Sequence, residues 1–329
     1  MRPPLVVWQF TDGKPGHESQ TRGLISALKR RDDVHAYAIP VATCRCGVGS
    51  LLWRRHPCMY DFPPPDFILA CGRSTHFAAL AARRACGGRL ISLMKPPLPL
   101  RLYDLCLIPE HDGVPATSNV LLTKGVLNPV SAMPMTADRR HRGLFLIGGP
   151  SAHHGWNGAK LVDQIVRVLE KDCQRAWTLT TSRRTPAEFV RQLSDRLDFQ
   201  GADGCPLEHR QNDALRLTVM PVEQTPSGWV SDQLSRSDVA VVTEDSVSMV
   251  YESLTAGVAV SLLAAPKRRR GRNRVSAGIE RLLQAAMAND IGQFLETGEF
   301  RTAAHSLAEA DRCADIVLSR WSARLARAA

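Results

Sequence analysis

Aromatic residues are scarce in this chain, at 6% of its 329 positions. The core is therefore expected to be aliphatic. No run of about 18 apolar residues occurs, so no helical membrane span is expected. Nor is a signal peptide expected: Met1-Arg2-Pro3-Pro4 leads straight into an apolar run too brief for one. The nine cysteines are scattered from Cys44 to Cys313 without framework spacing, which fits a reduced, cytoplasmic chain. Cys44, Cys46, Cys58, His35 and His56 lie near one another in sequence, but no second pair with zinc-like spacing follows, and no metal site is expected. Three signatures are also missing. There is no Walker G-x-x-x-x-G-K-[ST], no G-x-G-x-x-G and no D-x-D.

What the chain does have is positive charge, a formal net +10, and an ordinary 44% of hydrophobic residues. The first favours an anionic partner, and the second allows a sizeable core. Nucleic acid is not the expected partner, because no aromatics interleave with the basic residues. Short apolar runs alternate with segments of helical periodicity. Leu5–Phe10, Val34–Val41, Asp66–Cys71, Arg89–Met94, Asp104–Ile108 and Asn119–Thr123 read as strands, with helices over Ser19–Arg30 and Thr75–Cys86. Asn128–Gly143, with two prolines and a charged cluster, reads as a linker. The alternation then restarts with strands at Leu144–Ile147, Ala176–Thr181, Leu215–Met220, Val239–Thr243 and Val258–Leu263. Strand–helix alternation predicts parallel sheets with crossover helices. Two such blocks predict two α/β domains, residues 1–135 and 143–305, followed by a C-terminal helix over 306–329.

In open parallel sheets ligands gather beyond the carboxyl ends of the strands, so the strand tips are the places to read for chemistry. After the first strand comes T-D-G-K-P-G-H, with Asp12, Gly13, Lys14, Gly16 and His17. A histidine at a helix start sits near free N–H groups that disfavour imidazolium, as a general base requires. The competing reading is that Asp12 and His17 only cap the turn and helix. C-G-R-S-T-H brings Gly72, Arg73 and Ser74 to a second tip, where the hydroxyls also suit a helix cap. L-I-G-G-P-S places Gly148 and Gly149 where a phosphate can come close to the backbone. In T-T-S-R-R-T-P, Ser182, Arg183, Arg184 and Thr185 make a diphosphate clamp or a solvated strand end. The densest segment, V-V-T-E-D-S-V-S-M-V-Y-E, carries Glu244, Asp245, Ser246, Ser248, Met249 and Glu252. Glu252 suits the vicinal hydroxyls of a ribose, and amides near Ser246 and Ser248 suit phosphate. Finally Lys267, Arg268, Arg269, Arg270, Arg272 and Arg274 form a basic run, suited to an anionic membrane surface or simply to solvent.

The order T-D-G-K-P-G-H, G-R-S, G-G-P-S, T-T-S-R-R-T-P, E-D-S-V-S-M-V-Y-E resembles the bacterial homologues of the plant mitochondrial-fission protein family, over about residues 5–300. That family in turn resembles the GT-B glycosyltransferases, including the enzyme that adds N-acetylglucosamine to lipid-linked muramyl peptide. The resemblance implies two Rossmann-like domains facing across a cleft, the first on the acceptor side and the second on the nucleotide-sugar side. It implies inverting, metal-independent transfer from a nucleotide-sugar, with uridine the expected base, to an envelope or lipid-linked acceptor. Catalysis would fall to His17 and Asp12, and no cofactor is expected beyond the sugar donor. Tyr251 stands where the donor-binding signature has serine, and His153 and His154 have no counterpart role. The expected location is the cytoplasm, with contact to the inner membrane surface. The alternatives are a non-catalytic peripheral-membrane scaffold or a nucleotide-binding module on the same frame. The oligomeric state is not legible.

Overall fold

The computed structural model describes residues 3–44, 56–132, 139, 141–197, 199–200, 207–211, 214–268, 274–304 and 307–325. The chain divides into two compact units, Met1–Pro129 with Ala308–Ala329, and Val130–Leu307.

In the first unit β1 (Leu5–Thr11) leads into α1 (Pro15–Lys29), followed by β2 (Val34–Pro40), β3 (Phe67–Cys71), α2 (Thr75–Cys86), β4 (Arg89–Leu93), β5 (Leu105–Pro109) and β6 (Val120–Thr123). They build one six-stranded sheet in the order β2-β1-β3-β4-β5-β6, with every pair parallel. Side chains alternate across it. Val7, Phe67 and Leu69 enter one core, while Trp8, Phe10, Ile68 and Ala70 enter the other. Both faces are apolar because both are covered, as parallel sheets require. α1 covers the first face with Leu24, Ile25 and Leu28, and the C-terminal helix Glu309–Leu325 returns to the same core through Cys313, Ala314, Val317 and Trp321. α2 covers the second face with Ala78, Ala79 and Ala82, small enough to bring the helix close. The few aromatics of the chain concentrate in its interior: Trp8, Phe10, Phe67, Phe145, Trp177 and Phe189 are among the largest fully buried side chains.

Close packing fixes one glycine here. A Cβ on Gly23, in the middle of α1, would lie 2.6 Å from the backbone of Asn128. Alanine is the better helix former by about 1 kcal/mol, but a backbone cannot yield as a side chain can, and overpacking costs about 1–3 kcal/mol. Gly23→Ala is therefore expected to lower stability by up to about 2 kcal/mol, as a urea melt will show.

The second unit contains β7 (Arg142–Leu146), α3 (Gly158–Lys171), β8 (Ala176–Thr180), α4 (Glu188–Arg196), β9 (Phe199–Gln200), β10 (Leu207–Gln211), β11 (Ala214–Met220), α5 (Trp229–Arg236), β12 (Val239–Thr243), α6 (Val247–Ala256), β13 (Ala259–Leu263), α7 (Arg274–Gln284), β14 (Asn289–Asp290) and α8 (Ile291–Thr297). The sheet order is β14-β13-β12-β7-β8-β11-β10-β9. Leu161, Ile165, Val168 and Leu169 of α3 pack as their spacing predicts, against Phe145, Leu179 and Val241 of the sheet. The sheet is not wholly parallel, as alternation alone predicts: β10 runs antiparallel to β11 and to β9. Only two residues separate Gln211 from Ala214, too few for a parallel crossover. The expected linker also behaves differently in part. Arg139 is buried and donates to the carbonyls of Leu234 and Ser237, so it anchors this unit rather than extending into solvent. Residues 133–138 and 140 of that stretch lie outside the described residues.

Both sheets reverse direction at one place. In the first, the chain goes from β1 outward to β2, then returns to lay β3 on the other side of β1. In the second it goes from β7 to β8, then by the far edge through β9 and β10 to β11, and crosses back to lay β12 beside β7. Loops leaving two adjacent strands in opposite directions open a crevice at the carboxyl ends. The two switch points therefore lie after β1/β3 and after β7/β12.

Candidate functional site

The first switch point holds an oriented imidazole. Gly13 turns the chain with φ +74°, and the Asp12 carboxylate accepts the Lys14 amide at 3.2 Å. Pro15 then opens α1, four residues earlier than periodicity predicts, which puts His17 in its first turn. The Nδ1 atom of His17 lies 2.9 Å from Asp12 Oδ2, with side-chain exposures of 26% and 4%. Burial pushes the Asp12 pKa up, but the hydrogen bonds from His17 and from the Lys14 amide outweigh it and hold the carboxyl below its ordinary value. From β3 comes Gly72, with φ +92°, and a Cβ there would stand 2.2 Å from His17 Nδ1 and 2.7 Å from Asp12 Oδ2. The dyad thus fits only because position 72 has no side chain. Ser74 sits at the N-cap position of α2 without making a cap bond; its hydroxyl donates to Asp12 Oδ2 at 3.4 Å. Lys14, Gly16 and Arg73 are exposed at the same edge.

Two neighbours of the dyad carried no readable signal. His76 is buried, its Nδ1 2.9 Å from the Tyr103 hydroxyl, and burial, with His17 adding to it, takes its pKa down to about 4. It is therefore a neutral wall of the site at physiological pH. Met94, just after β4, holds φ 66° without being glycine and takes a contact from the Gln20 amide to its sulfur at 3.1 Å. Such strain collects at functional edges, but only coordinates reveal it.

At the second switch point three strand tips, those after β7, β8 and β12, are tied into one node. The Gly148 amide donates to Thr243 Oγ1 at 2.7 Å, and the Gly149 amide to Asp245 Oδ2 at 3.0 Å. Asp245 also accepts Arg184 Nη2 at 3.0 Å, and Arg184 Nη1 donates to the Gly149 carbonyl at 2.8 Å. Thr185 Oγ1 donates to the Ile147 carbonyl at 3.1 Å and accepts the Ser182 amide at 2.8 Å. A Cβ on Gly148 would meet the Asp245 carboxylate at 2.3 Å, and one on Gly149 the Arg184 carbonyl at 2.2 Å. The two glycines thus serve close packing, and their amides are already given to protein oxygens. Of the paired arginines, Arg184 is committed to the node and Arg183 is exposed. At the start of α6, Ser246 is the N-cap without a side-chain cap bond and is buried, Ser248 is exposed on the first turn, and Met249 and Glu252 are half-buried. Tyr251 points into the core at 3% exposure, so its departure from serine answers to packing. Glu244 accepts the Ala265 amide at 3.1 Å.

Of the basic run, Lys267 and Arg268 are exposed, Lys267 reaching Glu280 at 3.9 Å. Arg274 begins α7, and Arg269, Arg270 and Arg272 lie outside the described residues. Cys46 does too, while Cys44 and Cys58 bring their sulfurs to 3.8 Å. Among the described residues no group of three or more His, Cys, Asp or Glu could hold a metal ion. No helix among them is long and apolar enough to cross a membrane.

Residues 15–321 match the family described as Mitochondrial fission ELM1. The chain belongs to that family. The Mitochondrial fission protein ELM1 of Arabidopsis thaliana is 24% identical over 244 residues, 63% of this chain and 53% of the plant protein. The chain thus matches about half the length of that relative. Among solved structures, a UDP-GlcNAc 2-epimerase from Neisseria meningitidis bound to UDP-GlcNAc has a TM-score of 0.52 at 11% identity, covering 97% of this chain and 100% of that one. The spinosyn forosaminyltransferase SpnP also has a TM-score of 0.52, at 12% identity, covering 98% and 100%. Identity this low speaks to fold alone, and the fold is the GT-B frame of two Rossmann-like α/β bodies. The family and its solved relatives in fold thereby agree with the two α/β blocks and the two sheet orders.

Proposed function

We propose that this ELM1-family chain is an inverting glycosyltransferase that moves a sugar from a nucleotide-sugar, UDP-linked, to an envelope or lipid-linked acceptor. The observation that carries the reading is the His17–Asp12 pair at a switch point, oriented by a carboxylate with 4% exposure. With Nδ1 turned to Asp12, Nε2 is the nitrogen that takes a proton. The acceptor hydroxyl loses its proton to Nε2 as its oxygen bonds to the anomeric carbon. The bond from that carbon to the diphosphate breaks on the opposite side, and its electron pair leaves on the phosphate oxygen. Charge then grows on the diphosphate, where fixed positive groups act in the transition state. The second body offers the N-terminus of α6 near Ser246 and Ser248, together with the exposed Arg183. Glu252, six residues past the Ser246 cap, is the candidate for the ribose hydroxyls. A fold relative that holds UDP-GlcNAc and another that is named a sugar transferase support this choice of substrate.

A thermal-shift screen against nucleoside diphosphates tests the reading at its base. UDP at about 100 times its dissociation constant should stabilise the body that binds it by about 2.7 kcal/mol. Glu252→Ala should weaken UDP about tenfold, the loss of roughly one charge-assisted hydrogen bond. No shift with any nucleotide would leave the non-catalytic scaffold, which the fission description of the plant relative favours. The exposed Lys267 and Arg268 support contact with an anionic surface. Vesicles containing phosphatidylglycerol are expected to float the protein at low salt and release it at high salt; no flotation in either condition would remove the membrane from the proposal.

A further inference from the structure

His153 and His154 have no role in the reading above, yet the loop that carries them is held firmly. The His154 amide donates to Ser151 Oγ at 3.0 Å, and the Ser151 amide to the His154 carbonyl at 2.9 Å. The loop also pairs with the stretch after β13. His154 bridges Lys267 in antiparallel fashion, the Arg268 amide donates to the His153 carbonyl at 3.0 Å, and the Gly155 amide to the Pro266 carbonyl at 2.7 Å. That stretch is tied in turn to the node, through the bond from the Ala265 amide to Glu244. The His154 side chain is thereby fixed at 1% exposure beside the second switch point. Its Nδ1 is buried and has no hydrogen-bond partner.

A buried polar atom without a partner costs free energy, so a bound group that supplies one is favoured. The groups whose charges reach the ring are Glu244, Asp245, Lys267 and His153. Asp245 Oδ2 accepts Arg184 and the Gly149 amide, Glu244 Oε1 accepts the Ala265 amide, and neither carboxylate pairs with Nδ1. What the ring still lacks is an acceptor supplied from outside. With the exposed Lys267 and Arg268 on the stretch paired to this loop and the N-terminus of α6 following Asp245, that acceptor is anionic.

We infer that His154 is a ligand-binding residue, donating from Nδ1 to the diphosphate of a bound nucleoside diphosphate. The inference rests on the nucleotide reading above and deepens it. In the free protein burial lowers the proton affinity of the ring against the opposing pull of Glu244 and Asp245, while Lys267 and His153 add to the lowering. An anion brought against Nδ1 raises that affinity again, so binding takes up protons and weakens as pH rises.

Calorimetric titration of the full chain with UDP-GlcNAc, UDP and uridine, in two buffers of different ionisation enthalpy near pH 6.5, tests this without any variant, because the diphosphate diester of UDP-GlcNAc has no proton of its own to release there. Net proton uptake with UDP-GlcNAc and none with uridine is the expected result; no uptake with UDP-GlcNAc overturns the inference. His154→Ala should weaken UDP about tenfold. His154→Asn, whose amide nitrogen falls near the place of Nδ1, should bind within about threefold of the wild type. Melting without ligand shows whether either variant is folded, and the proton-uptake result stands if one is not. Equal affinity of the wild type and folded His154→Ala, or an Asn variant as weak as the Ala variant, removes His154 while leaving UDP binding in place. Failure of the wild type to bind any of the three ligands overturns the nucleotide reading and this inference together.

Discussion

Substituting His17 by alanine is expected to lower sugar transfer by about 10²–10⁴-fold while UDP affinity stays the same. The two outcomes separate because base and nucleotide are assigned to different compact units, each with its own core. A variant that loses both has lost its fold instead, and melting will show it. Asp12→Asn is the finer probe. Asp12 Oδ1 accepts the Lys14 amide, while Oδ2 faces His17 Nδ1 and receives the Ser74 hydroxyl. An asparagine has one oxygen for these donors, so either the turn or the imidazole loses its acceptor. If the amide nitrogen faces Nδ1, the ring carries its proton on Nε2 and can no longer take one there. A loss of about 10–100-fold in turnover with unchanged UDP affinity is expected. The same substitution has a signature in stability. The Asp12 carboxyl sits below its ordinary 3.8 in the fold, so its contribution is present above that pH and fades as pH falls through the depressed value. Asp12→Asn should flatten that acid limb. Gly72→Ala reaches the dyad sterically, since φ +92° and a Cβ 2.2 Å from Nδ1 leave no room for both.

The fold was legible wherever local pattern and tertiary role coincide. The run of apolar residues in F-I-L-A-C needs no alternation because both of its faces are covered, and its burial follows from that. α3 shows its core face directly in the spacing of Leu161, Ile165, Val168 and Leu169. The antiparallel edge was not legible, because L-E-H-R-Q lacks the apolar content of a buried strand. At the site, the residue types at each tip were readable, but their division of labour was not. Gly148, Gly149 and Arg184 read as phosphate contacts from type and position, and the distances give the two amides to Thr243 and Asp245 and the guanidinium to Asp245 and the Gly149 carbonyl. Only the order of the strands decides which tips become neighbours, and order is a long-range property that no window of sequence carries. His154 was visible as a residue without an assignment; its orphaned nitrogen depends on how Pro266–Arg268 folds against the loop.

That division of labour predicts a second large effect. Asp245 was expected to touch the donor, yet its side chain is 2% exposed and holds both the Gly149 amide and Arg184. Removing it leaves a buried amide without an acceptor and a guanidinium without its counter-charge. Breaking a fully buried pair costs about 3–5 kcal/mol. Arg184 is 41% exposed, so water recovers part of that cost and a loss of about 2–3 kcal/mol is the expected result. For a body of this size the melting midpoint should then fall by roughly 4–12 °C. A double-mutant cycle with Arg184→Met separates strut from ligand contact. If Asp245 acts by holding the node, the two changes couple by about 1–2 kcal/mol in stability, and UDP affinity falls only as far as the α6 entrance shifts. If Asp245 instead contacts the nucleotide, Asp245→Ala will change affinity with little change in melting, and the two substitutions will add. The distances favour coupling, because Arg184 Nη2 and the Gly149 amide converge on the same carboxylate oxygen.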